Sequence, residues 1–263
     1  MTVTEPARSV RLIETPFVEH GQPVRLKLVV YTPPTPGPHP VVVFNHGSTG
    51  RGNHPALYAH LADYPRTARF FSQRGWMLVA PQRRGRGGSD GVYGEGFGAD
   101  RSSGYSCDPA TALAGLDRAT QDVGAVLEHL DQQPDVDMRR LLIGGVSRGG
   151  VLAIACAGRW PDRFVGALNF NGGWLGRACA THEQVNPQAF ARGTPFRGPT
   201  LWLHGSHDPY YRIAQCRAHF AAYLAAGGRG SFHSLRGGHG LIAQPALWQP
   251  LVGAWLDGEL PRG

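Results

Sequence analysis

Residues 141–150 read LLIGGVSRGG. An apolar run stops at Gly144 and Gly145, passes through Val146, Ser147 and Arg148, and restarts from Gly149 and Gly150 as the small-residue helical pattern VLAIACAG (151–158). A serine thus stands where a strand turns into a helix, with a glycine two residues to either side. Gly145-Val146-Ser147-Arg148-Gly149 has the form G-x-S-x-G, and a strand before it with a helix after it is the setting in which that spacing makes a nucleophile elbow. On such a turn the serine backbone is strained and its hydroxyl exposed. Side chains at the two flanking positions would collide where the helix folds back over the strand, and Gly145 and Gly149 remove them.

The surrounding pattern supports a strand-to-helix turn inside a larger sheet. VVVF (41–44) is continuously apolar, as expected of a strand buried on both faces, whereas VRLKLVVY (24–31) alternates like a strand with one wet face. The Pro-rich TPPTPGPHP (32–40) between them is short enough to be a stiff turn. Further strands are predicted at WMLVAP (76–81), RLLIGGV (140–146), FVGALNF (164–170), PTLWLHG (199–205) and GSFHSL (230–235). Helices are predicted near 63–74, 109–131, up to about Gly158, near 210–227 and near 245–257. This alternation predicts an α/β fold: a doubly wound, mostly parallel sheet with antiparallel N-terminal edge strands, one domain over residues 1–263. Ligands of such sheets bind beyond the carboxyl ends of the strands. The chemistry is therefore expected just after Phe44, Pro81, Val146, Phe170, His204 and Leu235.

A serine hydroxyl needs a positioned base, itself oriented by a third group. For a serine on this elbow the partners follow in the chain order Ser, Asp/Glu, His. LWLHGSHDPYY (201–211) places Asp208 just past one strand, and RGGHGLI (236–242) places His239 just past the next, in a loop that Gly237, Gly238 and Gly240 allow to bend. Asp90, Asp100 and Asp108 are also loop acids, but they precede Ser147 and would need another topology. His204, His207 and Asp208 lack further ligands for a metal, so none is expected, and His204 reads as a hydrogen-bonded structural residue. A tetrahedral intermediate needs two donors for its oxyanion. One is expected from the backbone N–H of Arg148, at the start of its helix. The other is expected from the turn His46-Gly47-Ser48-Thr49-Gly50, with the N–H of Ser48 favoured and Gly47 or Thr49 left open. His46 is expected to pack or cap that turn without touching substrate.

Composition excludes several other classes. Of the 263 residues 41% are hydrophobic and 17% charged, which describes a globular chain with ample core material. The formal charge of +7 comes almost entirely from arginine, Lys27 being the only lysine. The densest basic cluster, Arg83, Arg84 and Arg86, is broken by glycine and lacks interleaved aromatics, so no nucleic-acid partner is expected. No secretory leader and no run of about 18 apolar residues is visible, which predicts a cytoplasmic protein without a membrane partner. Cys156 and Cys216 fall in helical patterns and read as core. Cys107 and Cys179 lie in loops, where a bridge between them is an open alternative.

The order FNHGS, RRGRGGSDG, GVSRGG, HGSHD and GGHG resembles the α/β-hydrolase superfamily, in particular its dienelactone-hydrolase-like and prolyl-oligopeptidase-like branch, over roughly residues 25–257. Enzymes called dienelactone hydrolases carry cysteine at the nucleophile position, where this chain has Ser147. Many relatives have Asp where this chain has Gln82, so a salt bridge from there to the loop arginine is expected to be absent. Between LNFNGGW and GPTLWLHG only residues 172–199 remain, too few for a large cap, so a short lid is expected. Trp174 and Phe190 are the candidate substrate-contacting residues there, with lid core as the other reading. The resemblance implies a cofactor-independent serine hydrolase acting on small-molecule carboxylic esters or lactones through an acyl-enzyme. The alternatives are a peptidase or amidase, disfavoured because no propeller or paired-Glu element is recognisable before the catalytic region, and a non-catalytic ligand-binding homologue. The sequence carries no reading of oligomeric state.

Overall fold

Continuously apolar strands need cover on both faces, and the computed structural model, which describes residues 5–260, supplies it. The strands are β1 (Ala7–Glu19), β2 (Gln22–Thr32), β3 (His39–Asn45), β4 (Met77–Gln82), β5 (Val136–Val146), β6 (Gly166–Phe170), β7 (Pro199–Gly205) and β8 (Arg229–Leu235). They form one sheet in the order β1-β2-β4-β3-β5-β6-β7-β8. β1 pairs β2 and β2 pairs β4 antiparallel, while every pairing from β4 to β8 is parallel. The expected doubly wound sheet with antiparallel N-terminal edge strands is therefore present.

Six helices flank it: α1 (Pro65–Ser72), α2 (Pro109–Leu130), α3 (Arg148–Arg159), α4 (His182–Ala191), α5 (Ile213–Ala225) and α6 (Pro245–Glu259). The period of two along β3 sorts its side chains between two cores. Val41 and Val43 pack with Leu116 and Val123 of α2 and Ile154 of α3, whereas Val42 and Phe44 pack with Phe70 and Phe71 of α1 and Trp248 of α6. Each such apolar side chain taken fully out of water stabilises the fold by roughly 1.5–3 kcal/mol. Asp108, one of the loop acids, begins α2: its side chain accepts the Thr111 N–H at 2.8 Å and Pro109 takes the first helical position.

Two elements depart from the sequence reading: β1, which none of the predicted strands covers, and α4. Residues 172–199 read as a short lid with no predicted helix, and they contain α4, a helix with Pro187 inside it. An interior proline ordinarily breaks a helix, and here burial of Val185, Ala189 and Phe190 against the core outweighs that signal.

The strand order reverses around β3, which lies between β4 and β5. The crevice at such a switch point opens beyond the carboxyl ends of the two strands. His46 to Thr49 leave β3 there, and Ser147 leaves β5.

Candidate active site

Ser147 has φ 58° and ψ −124°, a left-handed conformation rare for any residue but glycine. Holding it costs on the order of 1–3 kcal/mol, which the packing around it must offset. Backbone approach explains the two flanking glycines. A Cβ on Gly145 would stand 2.3 Å from the Gly149 carbonyl oxygen, and one on Gly149 would stand 2.1 Å from that of Asn45. The serine's own N–H donates to the Phe170 carbonyl at 2.9 Å, so β6 anchors the turn.

The strand ends bring Asp208 and His239 together. His239 Nδ1 lies 2.7 Å from Asp208 Oδ2. Because that nitrogen faces a carboxylate it carries the proton, which leaves Nε2 as the basic nitrogen. The other lone pairs of Asp208 are also filled: Oδ1 accepts the N–H groups of Tyr210 (2.7 Å) and Tyr211 (3.2 Å), and Oδ2 accepts Asn171 Nδ2 (2.6 Å). Burial pushes the Asp208 pKa upward, but the bonds from His239, Asn171 and Tyr210 outweigh it and hold the carboxyl below its ordinary range. The acid is thus fixed in its charged form.

Two residues here were not read from the sequence. Asn171, at φ 48°, ends β6 and donates to both Asp208 and the Gly238 carbonyl, the latter at 3.2 Å, tying the acid loop to the histidine loop. Its available signal was an Asn before two glycines at a strand end, the residue type that tolerates a left-handed backbone. Tyr211 donates its hydroxyl to the Gly173 carbonyl at 2.7 Å, and that hydroxyl lies within interaction range of the Ser147 side chain. The Tyr211 ring is 5.6 Å from the His239 ring, so serine and histidine border the same tyrosine.

On the opposite side of Ser147 the chain is cationic. Arg83 and Glu95 form a fully buried ion pair, and both arginine Nη atoms also reach the His46 carbonyl at 3.0 Å. Gln82 does leave the loop arginine unpaired from its own position: its amide instead bonds both backbone groups of Ala62, and Arg84 pairs with Asp122 of α2. Arg148 sits between the rings of Tyr105 (3.7 Å) and Trp174 (4.6 Å), donating to the carbonyls of Trp174 (2.9 Å) and Glu95 (2.6 Å). The Thr49 N–H is occupied by Tyr105 Oη at 3.1 Å. Among the described residues the backbone N–H groups of Ser48 and Arg148 donate to no protein acceptor.

The remaining candidates are placed elsewhere. Trp174 is 1% exposed and meets the site through its stacking on Arg148 and the hydrogen bond from Arg148 to its carbonyl, and Phe190 is 2% exposed and packed against Trp202. His204 is buried and stacked on Phe232, but neither of its ring nitrogens finds a partner, so it is structural without the expected hydrogen bond. Asp90 pairs with Arg25, and Asp100 caps the short turn at 101–103. Cys107 and Cys179 form a disulfide that joins the loop before α2 to the lid, while Cys156 and Cys216 are buried thiols.

Residues 116–195, which span the elbow, match the prolyl oligopeptidase family. No curated protein matches by sequence. Among solved structures, the acylaminoacyl peptidase of Pyrococcus horikoshii superposes with a TM-score of 0.65 at 16% identity, over 97% of this chain and 43% of that one. The Pyrococcus furiosus esterase Pf2001 superposes with a TM-score of 0.69 at 15% identity, over 97% of this chain and 92% of that one. The putative dipeptidyl aminopeptidase IV from Bacteroides ovatus gives 0.62 at 14% identity, over 96% and 36%. This chain therefore spans less than half the length of the acylaminoacyl peptidase. The fold that these structures share with this chain is the α/β-hydrolase fold. No described helix is long and apolar enough to cross a membrane.

Proposed function

We propose that the protein hydrolyses carboxylic esters or small lactones without a cofactor, through an acyl-enzyme on Ser147. The observation that carries this reading is a left-handed serine on the elbow with the Asp208–His239 pair at neighbouring strand ends. Ser147 Oγ attacks the ester carbonyl carbon as its proton passes to His239 Nε2. The tetrahedral oxyanion takes the N–H groups of Arg148 and Ser48, neither of which donates to a protein acceptor. The intermediate collapses with loss of the alcohol, which leaves with the proton from His239. Water then attacks the acyl-enzyme, with His239 again as base, releasing the acid and restoring the serine.

An ester is the reading favoured by the likeness to esterase Pf2001, at a TM-score of 0.69 against 0.65 for the acylaminoacyl peptidase. The test is a fluorophosphonate probe on the purified protein, with the modified residue read by mass spectrometry, followed by turnover of matched ester and amide substrates. Labelling at Ser147, lost in Ser147→Ala and His239→Ala, with esters turned over well ahead of amides, is the expected result. Ester turnover surviving in Ser147→Ala would sink the proposal, and equal amide turnover would give the peptidase reading its place. A cytoplasmic location has the Cys107–Cys179 bridge against it, since disulfides last mainly in oxidising compartments.

A further inference from the structure

Arg86 is 5% exposed, yet it forms no salt bridge among the described residues. The nearby carboxylate, Glu95, is held by Arg83 through both of its oxygens. A buried guanidinium without a counter-charge is costly unless its donors are engaged and a negative charge comes to meet it. Its Nε atom has no acceptor at all, and its ring contact, with Tyr93 at 5.0 Å, is weak compensation. The polar group it does engage is the Gly47 carbonyl, 3.3 Å from Nη1.

The same carbonyl has a second partner. His46 Nδ1 lies 2.8 Å from it, and His46 Nε2 lies 3.3 Å from the Arg83 N–H. Only one tautomer satisfies both contacts: Nδ1 protonated and donating, Nε2 bare and accepting. The 3.4 Å approach of Arg86 Nη1 to Nδ1 is then two donors side by side over one acceptor, not a bond between them. Burial and the neighbouring arginines hold the His46 pKa well below its ordinary value, which keeps the ring in that neutral form.

Gly47 is pressed against the nucleophile, since a Cβ built on it would stand 3.0 Å from Ser147 Cβ. The carbonyl of Gly47 and the N–H of Ser48 belong to one planar trans peptide, so they point in opposite directions. Fixing the first fixes the second. Resting on the proposed serine mechanism, we propose that Arg86 and His46 are positioning residues that orient and polarise the Gly47–Ser48 peptide, so that its N–H meets the oxyanion formed at Ser147. The oxyanion is the counter-charge that Arg86 lacks in the resting protein, delivered through the peptide between them. Polarisation along a hydrogen-bonded chain strengthens the terminal donor, and the strengthened donor stabilises most when charge develops on the substrate oxygen.

The test uses the full-length protein and a small p-nitrophenyl ester. The wild type is first shown to turn the ester over and Ser147→Ala to be inactive, so that a failure of the serine mechanism is seen before the positioning question is asked. Arg86→Gln is then expected to lower kcat about 10- to 100-fold with KM within about twofold, a loss of the size expected for weakening one oxyanion donor. It is also expected to weaken a trifluoromethyl ketone inhibitor, which forms a tetrahedral oxyanion, by the same factor as kcat. Arg86→Lys, which keeps the charge, is expected to recover most of both. Should Arg86→Gln not fold, His46→Phe takes its place, because it removes the shorter bond to the same carbonyl and calls for the same pattern. A folded Arg86→Gln or His46→Phe with kcat and ketone affinity within twofold of wild type overturns the proposal. So does a variant in which KM rises while kcat holds.

Discussion

The two sides of Ser147 are built on opposite electrostatic plans. Toward β7 and β8 a single carboxylate, Asp208, has its lone pairs filled by four donors and passes its influence through one bond to His239. Toward β3 and β4 four buried arginines, Arg83, Arg84, Arg86 and Arg148, stand against two buried carboxylates, Glu95 and Asp122. The first side is locally balanced before any substrate arrives. The second carries an excess of positive charge where the proposed mechanism generates negative charge. On the proposed mechanism, the first side moves a proton and the second receives an oxyanion.

The contrast can be broken from either side. Asp208→Asn leaves the loop in place but removes the charge that holds the His239 tautomer, and kcat toward an ester is expected to fall by about 10⁴-fold in steady-state assays, the size such a change has in a serine triad. On the cationic side, Glu95→Gln strips the only carboxylate from beneath Arg83 and leaves a buried charge unpaired. Chemical denaturation is expected to show a loss of about 3–5 kcal/mol. A variant as stable as the wild type would mean that the arginines are solvated and the proposed excess field is absent.

Asn171→Ala sharpens the comparison, because it removes one donor to Asp208 and the tie to Gly238 while leaving the triad residues in place. A loss in kcat of about tenfold is expected, in line with one hydrogen bond to a charged group. The smallest effect concerns pH. Burial lowers the His204 pKa from 6.5 to about 3, so between those values the unfolded chain binds a proton that the folded one does not. Stability from this group is therefore intact above 6.5 and declines as pH falls. His204→Phe is expected to reduce the slope of unfolding free energy against pH by up to about one proton between roughly pH 4 and 6, about 1.4 kcal/mol per pH unit.

Legibility in the sequence divides along the same line. The alternation of strands and helices along the chain from β2 onward followed from their periodicity, and β7 begins and ends at the residues its apolar run predicts. Asp208 and His239 were legible because a chain-order rule and strand ends place them. The cationic side was not, because its bonds are made by backbone carbonyls and aromatic faces, which leave no spacing to read. Arg86 contacts a carbonyl about forty residues away and Arg148 bridges two more, neither of which any local pattern encodes. Asn171 hid for a related reason: its role depends on β6 and β7 being neighbours in the sheet. α4 was obscured by Pro187, a local signal overridden by burial.

The Cys107–Cys179 bridge has a topological consequence. The two cysteines are 72 positions apart, and Ser147 lies between them while Asp208 and His239 lie outside. The nucleophile, its elbow and helices α2 and α3 thus belong to a covalent ring that persists when every weak contact is gone. On a chain-entropy account, closing a loop of that size disfavours the unfolded ensemble by roughly 4 kcal/mol. A single protease cut anywhere between the two cysteines would leave one molecule on a non-reducing gel and two fragments once thiol is added, so the ring can be traced without any measurement of activity.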